Sequence, residues 1–356
     1  MRLFTTVALA AISAAAATGA ASLAEAKDAP AAAYKAPRTA AGQPDLQGVW
    51  TNATITPLER PQALGERLVL TEQEARRAEA GNAARVQGAA QPTKAETKVD
   101  DLPSCGGGQT GPACGYNAFW VDPGTKVIRI GAEPRSSIIV SPKDGRLPLS
   151  AATQARIRAA QGNARVGNFD GPERRPLGER CLVGFGSTSG PPMLPVLYNN
   201  HYQIIQTPGE VMIEVEMVHD TRIVRLNDVH KPAYVRQWMG DSIGHWEGDT
   251  LVVETTNFRP DQTFRGATAG QRVTERFTRI SPQQILYQFE VADPAALTQP
   301  VKGEESLNAT NDRVYEYACH EGNYALPGIL AGARAEEKKG REMEGTRGEV
   351  KEEGAQ

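Results

Sequence analysis

The second half of the sequence carries a succession of short β-strand patterns, and this succession limits the possible folds most. Segments such as HYQIIQT, TLVVETTNF and QILYQFEV alternate apolar with polar residues, and turn residues such as Gly, Pro, Asp and Ser separate them. A series of period-two patterns without helices between them predicts an antiparallel meander. Because open sheet edges promote aggregation, we expect a mainly β fold that closes into a barrel or a strongly curved sheet.

Helical patterns are expected only around this meander, as a few peripheral helices. The first is predicted over residues 71–87, where Thr71 is followed three residues later by Glu74, the spacing of a capping box. Residues 150–160 predict a second short helix, and residues 325–338 predict one that closes the folded part. Since none of these segments lies between consecutive strands of the meander, a doubly wound parallel sheet is not expected.

The ends of the chain differ in composition from its centre. Residues 1–26 combine an early arginine, an apolar Ala-rich stretch and a final AEA motif, which predicts a signal peptide cleaved before Lys27. Residues 27–42 are predicted to be a linker, residues 43–338 a single β-rich domain, and residues 339–356 a disordered charged tail. No later stretch is apolar enough to span a membrane, so we expect a soluble periplasmic or secreted protein.

Four cysteines in an exported chain make disulfides the first expectation. Cys105 and Cys114 bracket the glycine-rich segment CGGGQTGPAC, and we expect them to form a bridge. Cys181 and Cys319 are predicted to form either a long-range bridge or two buried thiols. Neither a C-x-x-C nor an H-x-x-x-H spacing occurs, so no metal site is expected.

The overall charge and the absent motifs narrow the classes of partner. The 39 Lys and Arg residues nearly balance 42 Asp and Glu residues, which leaves a formal charge of −3. A chain without a basic excess is not expected to bind nucleic acid. The sequence holds no Walker-type nucleotide-binding loop, and we expect no cofactor. The expected partner is a small molecule, and the sequence does not indicate an oligomeric state.

The segment EVMIEVEMVHDTRIVRL is predicted to form one long central strand. Alternation along a strand then places Glu214, Glu216, Asp220 and Arg222 on one face and His219 on the other. If the polar face lines a cavity, repulsion between the two glutamates raises the pKa of one of them and provides a general acid beside a general base. The alternative is that this face meets water and that Asp220 pairs with Arg222.

Two further segments carry histidines. His245 follows Gly244 and precedes Trp246 and a turn, so there is room beside the imidazole for another group. The segment RVYEYACHE is predicted to be the last strand, with Glu316 and His320 on one face and Tyr317 on the other. A carboxylate beside an imidazole can orient the ring for proton transfer.

These clusters predict an enzyme without a cofactor that acts on a small apolar or aromatic molecule in a barrel cavity. The expected reaction is an isomerisation, elimination or hydrolysis, with His219, His245 or His320 moving a proton and Asp220 or Glu316 orienting the ring. The residues expected to contact the substrate are Glu214, Glu216, Arg222, Trp238, Trp246 and Tyr317. The alternatives are a non-catalytic carrier of such a ligand and an envelope protein whose polar clusters are structural.

Several motifs also carry a resemblance to known proteins. GVWTNATITPLERP, YNAFW, EMVHDTRIV, WEGDTLVVETTNF and YEYACHEGNY resemble segments of a widespread group of exported bacterial proteins of unknown function, over residues 42–338. This resemblance implies an exported, single-unit, β-rich protein and supplies no reaction. Gly48-Val49-Trp50 is also similar to the G-x-W opening of lipocalin-type barrels, which implies a lipocalin-like barrel.

Overall fold

A computed structural model describes residues 34–89, 123–162, 169–184 and 190–352. The described residues from Tyr34 onward form one compact unit, so the chain joins the folded part within the predicted linker. In that segment Arg38 forms an ion pair with Asp249. The predicted signal peptide and the predicted bridge between Cys105 and Cys114 lie outside the described residues.

Nine strands close into a barrel, which confirms the predicted barrel fold. Their order around the barrel is β1-β5-β6-β7-β8-β9-β10-β11-β12, and β12 pairs with β1 to complete the circle. Strand β4 (Ile139–Ser141) extends the sheet beside β12, and β2 (Arg129–Ile130) with β3 (Glu133–Pro134) forms a separate hairpin. The barrel strands are β1 Gly48–Thr51, β5 His201–Gln206, β6 Glu210–Val215, β7 Thr221–Leu226, β8 Asp241–Glu247, β9 Thr250–Thr256, β10 Arg272–Ser281, β11 Gln284–Ala292 and β12 Val301–Ala309.

The described part of the chain holds three α-helices: α1 Glu72–Ala89, α2 Ala151–Gly162 and α3 Ala325–Glu352. The predicted capping box is present, since Glu74 N–H donates to Thr71 Oγ1 at 3.2 Å and Thr71 N–H donates to Glu74 Oε2 at 2.8 Å. Helix α3 extends to Glu352, past the end that the sequence predicted at residue 338. Among the described residues, no helix is both long and apolar enough to cross a bilayer.

The predicted long central strand is wrong, because the chain reverses in its middle. Strand β6 ends at Val215, a short 3₁₀ turn follows over Met217–His219, and β7 returns antiparallel to β6. Val218 and His219 adopt φ values of +60° and +46°, a left-handed conformation that turns the chain back. The reversal places Arg222 opposite Ile213, on the inner face of the barrel and away from Glu214.

The predicted last strand is also wrong. The segment RVYEYACHE forms no strand, and VKGEESLNA takes its place as β12. Three charged residues and a glycine in VKGEESLNA hide its alternation from sequence analysis. Gly303 is required there, since a Cβ at this position would lie 2.1 Å from the ring of Phe289 on β11.

Side chains fill the interior of the barrel. Many inward positions of successive strands are apolar or aromatic, and Phe277, Tyr287 and Phe289 pack together with ring centroids 5.0 and 5.9 Å apart. All three rings are almost fully buried. Such a packed interior makes the barrel a structural core, so ligand sites are to be sought around it.

One pair of neighbouring strands is parallel, and we call this pair the seam. Strands β7 and β8 pair only at Val224 with Ser242, Arg225 with Ile243 and Leu226 with Gly244. Residues 221–223 of β7 extend beyond the paired part, toward the end of the barrel where β6 and β9 finish. We call this end, where β5, β7, β8, β10 and β12 begin, the upper end.

Candidate functional site

A cleft of about 520 Å³ opens along the seam near the upper end of the barrel, and we call it the seam cleft. It brings together three residues that the sequence predicted for the site: Asp220, Arg222 and Trp238. The cleft exists because the short parallel pairing leaves the start of β7 apart from the chain before β8. Its lining comprises Leu182, Val183, Asp220, Thr221, Arg222, Ile223, Arg225, Lys231, Arg236, Gln237, Trp238, Met239, Gly240, Asp241, Ser242 and Arg259.

The charges of the seam cleft are mainly positive. Five cationic side chains line it against two carboxylates, Asp220 and Asp241. Arg222 is neutralised by Glu275, and Arg225 is neutralised by Asp241 and Asp228. Lys231 and Arg259 have only long ion pairs, each at 3.9 Å, with Asp241 and Asp261. Together with Arg236 they give the cleft a field that attracts anions.

An aromatic ring lies beside these cations. The guanidinium of Arg259 lies over the ring of Trp238, with its central carbon 4.0 Å from the ring centroid. Arg236 Nη1 donates to the carbonyl of Phe258 at 2.9 Å, which fixes this side chain near the same surface. Arg259 N–H donates to the carbonyl of Gln237, so hydrogen bonds hold both arginines where the segment around Gln237 meets the segment around Phe258. A flat apolar body could pack here with an anionic group beside the guanidinium groups.

Asp241 organises the wall of the seam cleft. Its side chain is 1% exposed, and burial alone raises the pKa of such a carboxyl. Hydrogen bonds from Arg225, from the backbone N–H of Lys231 and from His230 outweigh burial and lower the pKa to about 2. Asp241 is therefore ionised at neutral pH and holds these three groups in place. Sequence analysis did not identify this role of Asp241, because no sequence motif marks its partner His230.

A disulfide lies next to another part of the wall of the seam cleft. Cys181 and Cys319 are bonded, which confirms the long-range bridge among the two possibilities left open by the sequence. The next residues, Leu182 and Val183, line the cleft. Gly184 N–H then donates to Asp220 Oδ2 at 3.1 Å. The bridge therefore ties this wall to the segment before α3.

The remaining predicted catalytic residues lie outside the seam cleft. His219 is exposed in the turn between β6 and β7, beside Asp220. His245 is exposed on the outer face of β8, with Nε2 3.2 Å from Glu247 Oε1. Glu316 and His320 are exposed in the segment after β12. Because the predicted strands differ from the real ones, these four side chains do not converge.

Four of the residues predicted to contact substrate also lie elsewhere. Glu214 faces outward from β6, and Trp246 is half-buried on β8. Tyr317 packs at the margin of the core. Glu216 is buried and contacts His201, a residue that sequence analysis did not single out.

Behind the seam cleft, the barrel interior holds a polar cluster, the interior cluster, of Asn52, Tyr202, Arg222, Glu275, Tyr287 and Glu305. Arg222 donates to both carboxylate oxygens of Glu275, at 2.6 and 3.1 Å, and Tyr287 donates to the same carboxylate at 2.8 Å. Burial raises the pKa of Glu305 well above its ordinary value, more than the hydrogen bond from Asn52 lowers it. Burial therefore favours the neutral form of Glu305 in the folded protein.

Comparison of the chain with protein-family models, with curated proteins and with solved structures finds no match. The resemblance of its motifs to exported bacterial proteins therefore stays a prediction. Within the described ranges, no group of three or more His, Cys, Asp or Glu side chains is placed to hold a metal ion. The function of the chain has to be argued from the geometry of its clefts.

Proposed function

We propose that the protein binds a small organic anion with an aromatic or apolar body in the seam cleft, as a binding or carrier protein. The observation that supports this proposal is the convergence of Lys231, Arg236 and Arg259 with the ring of Trp238 on one cleft. Guanidinium groups recognise carboxylate, sulfonate or phosphate oxygens, and the ring offers a surface for an apolar body.

The lining favours binding over catalysis at this place. Of the five residues predicted to move or orient a proton, Asp220 alone lines the cleft. Asp220 already accepts a hydrogen bond from Gly184. Apolar side chains of Leu182, Val183 and Met239 complete the surface, and a volume of about 520 Å³ suits a ligand of one or two rings.

We further propose that this binding takes place outside the cytoplasm. The disulfide between Cys181 and Cys319 is stable in an oxidising compartment, and residues 1–26 have the pattern of a signal peptide. The resemblance to exported bacterial proteins agrees with this location. N-terminal sequencing of the protein recovered from the periplasm or medium tests it, and retention of Met1 there would contradict it.

The test of binding uses 2-naphthoate as the probe and the neutral 2-naphthalenemethanol as its matched analogue. We expect isothermal titration calorimetry to detect tighter binding of the carboxylate, and added salt to weaken it. The variant Arg259→Gln removes the charge above Trp238, and its affinity for 2-naphthoate should fall about tenfold, since a charge-assisted hydrogen bond contributes roughly 1.5–3 kcal/mol.

Arg272→Gln is the matched control, because Arg272 is an exposed arginine paired with Glu254 and lies outside the lining of the cleft. Its affinity for 2-naphthoate should equal that of the unmodified protein. Equal affinity for the charged and neutral probes, or an equal loss in both variants, would contradict the proposal.

A further inference from the structure

A second cleft at the upper end holds a histidine oriented by a buried carboxylate. His201 is the first residue of β5, and its Nδ1 lies 2.7 Å from Glu216 Oε2. Glu216 follows β6 directly and is 3% exposed. The backbone fixes the pair as well, since Glu216 N–H donates to the carbonyl of His201 at 3.0 Å.

The charge of Glu216 fixes which ring nitrogen carries the proton. Burial raises the pKa of this carboxyl, but hydrogen bonds from His201 and from the backbone N–H of Tyr315 outweigh burial and lower the pKa. An ionised carboxylate can only accept, so Nδ1 of His201 donates to it. In the neutral ring, Nε2 is then the basic nitrogen, and it is directed away from Glu216.

His201 lines a cleft of about 430 Å³ that also contains Lys126, Asn199 and Asp312. Nε2 lies 3.7 Å from Asp312 Oδ2, so this side of the ring belongs to the cleft. Lys126 is exposed in the same cleft and supplies a positive charge for an oxyanion. None of these residues belongs to the lining of the seam cleft.

An apolar cleft of about 620 Å³ shares three chain segments with the polar cleft that His201 lines: residues 51–58, 123–126 and 194–201. Thr54, Leu194 and Leu197 line it, close in sequence to the Thr51 and His201 that line the polar cleft. Pro123 lines the apolar cleft, and the next residue, Gly124, lines the polar cleft. An apolar group of a substrate could therefore be held next to the imidazole.

We propose that His201 is a general base for hydrolysis of a small neutral ester, with Glu216 as its positioning residue. Nε2 accepts a proton from water while the water oxygen forms a bond to the carbonyl carbon. The tetrahedral oxyanion then collapses, the bond from the carbonyl carbon to the leaving oxygen breaks, and the imidazolium returns the proton to the alcohol. The products are one carboxylic acid and one alcohol, and no oxidant or cofactor takes part.

The experiment follows hydrolysis of p-nitrophenyl acetate by the full-length chain between pH 5 and 9. Since a positioned general base contributes about 10²–10⁴-fold, we expect His201→Gln to lower the rate at least tenfold. Glu216→Gln should move the midpoint of the pH profile to lower pH, because the imidazolium loses a stabilising negative charge. The other charges in the cleft, on Asp312 and Lys126, are the same in this variant. Circular dichroism melting shows whether both variants are folded.

Three results would overturn this proposal. The first is a rate for His201→Gln equal to that of the unmodified protein, and the second is an unshifted pH profile for Glu216→Gln. The third is a loss of activity in His245→Gln, because His245, which was predicted from the sequence, would then be the residue that moves the proton. Titration of His201→Gln with 2-naphthoate should give an unchanged affinity, so failure of one site can be distinguished from failure of the other.

Discussion

Strand β7 presents one arginine to each of its faces, and the two arginines have different surroundings. Arg222 points into the barrel, where its side chain is 3% exposed and its partner Glu275 is 0% exposed. Arg225 points outward at the seam, where its partners are the buried Asp241 and the exposed Asp228. Both are arginine–carboxylate pairs and both arginines border the seam cleft, but the outer pair is the more exposed of the two.

The comparison shows that an arginine–carboxylate pair stabilises the fold inside the barrel, whereas outside the barrel such a pair contributes to the electrostatic field of the surface. In the interior, every charge must be matched, because an unpaired ion is very costly in a low-dielectric core. At the seam, solvent screens the charges, so an excess of cations is tolerated and can be used for binding. The three predictions below test this contrast, from the largest expected effect to the smallest.

The largest effect is expected from Arg222→Met. This change keeps the volume of the side chain but leaves Glu275 as a buried carboxylate, with Tyr287 as its one remaining donor among the described residues. The free energy of unfolding should fall by about 4 kcal/mol, as measured by urea denaturation at pH 7. Arg225→Met at the seam is the comparison variant, and its loss should be about 2 kcal/mol, since Asp241 keeps its bonds from His230 and Lys231.

A larger loss in Arg225→Met than in Arg222→Met would contradict this contrast. So would retention of full stability in Arg222→Met, because the interior pair would then be dispensable.

A smaller effect is expected from removal of the disulfide. In Cys181→Ser with Cys319→Ser, the free energy of unfolding should fall by about 3 kcal/mol, since the bridge no longer restricts the unfolded chain. The affinity for 2-naphthoate should fall too, because Leu182 and Val183 are no longer held against the cleft. Thermal melting and calorimetry measure the two quantities. A stability loss with unchanged affinity would show that this wall does not contribute to binding.

The smallest effect is expected from Glu305→Gln, and it depends on pH. Below the ordinary carboxyl pKa, Glu305 is protonated in both the folded and the unfolded chain. Above it, the unfolded chain ionises while the folded chain stays neutral, because burial raises the folded pKa. Stability is therefore lost as the pH rises toward the folded pKa.

Glutamine stays neutral throughout, so the variant should melt at a higher temperature than the unmodified protein at pH 8. The difference should shrink toward pH 4. Thermal melting followed by circular dichroism between these values tests the prediction. A constant difference across this range would mean that Glu305 is ionised in the folded protein.

The sequence by itself determined the fold class and several local structures. Alternating patterns indicated strands such as β5, β9 and β11, and reciprocal bonds between Thr71 and Glu74 began α1 as expected. These features depend on neighbours along the chain, and such neighbours are visible in a sequence. Of the residues that line the seam cleft, the sequence predicted only Asp220 and Arg222, which lie in one short segment, and Trp238.

Tertiary structure decided which way each face points and which distant residues meet. Two left-handed residues, Val218 and His219, turned a predicted strand into a hairpin and moved Arg222 to the inside. Glu275 lies 53 residues from Arg222, and no local pattern marks it as the partner. His201 and Glu216 pair across neighbouring strands in the same way. Strand pairing and barrel closure set these contacts, and both arise from packing of the whole chain rather than from local sequence.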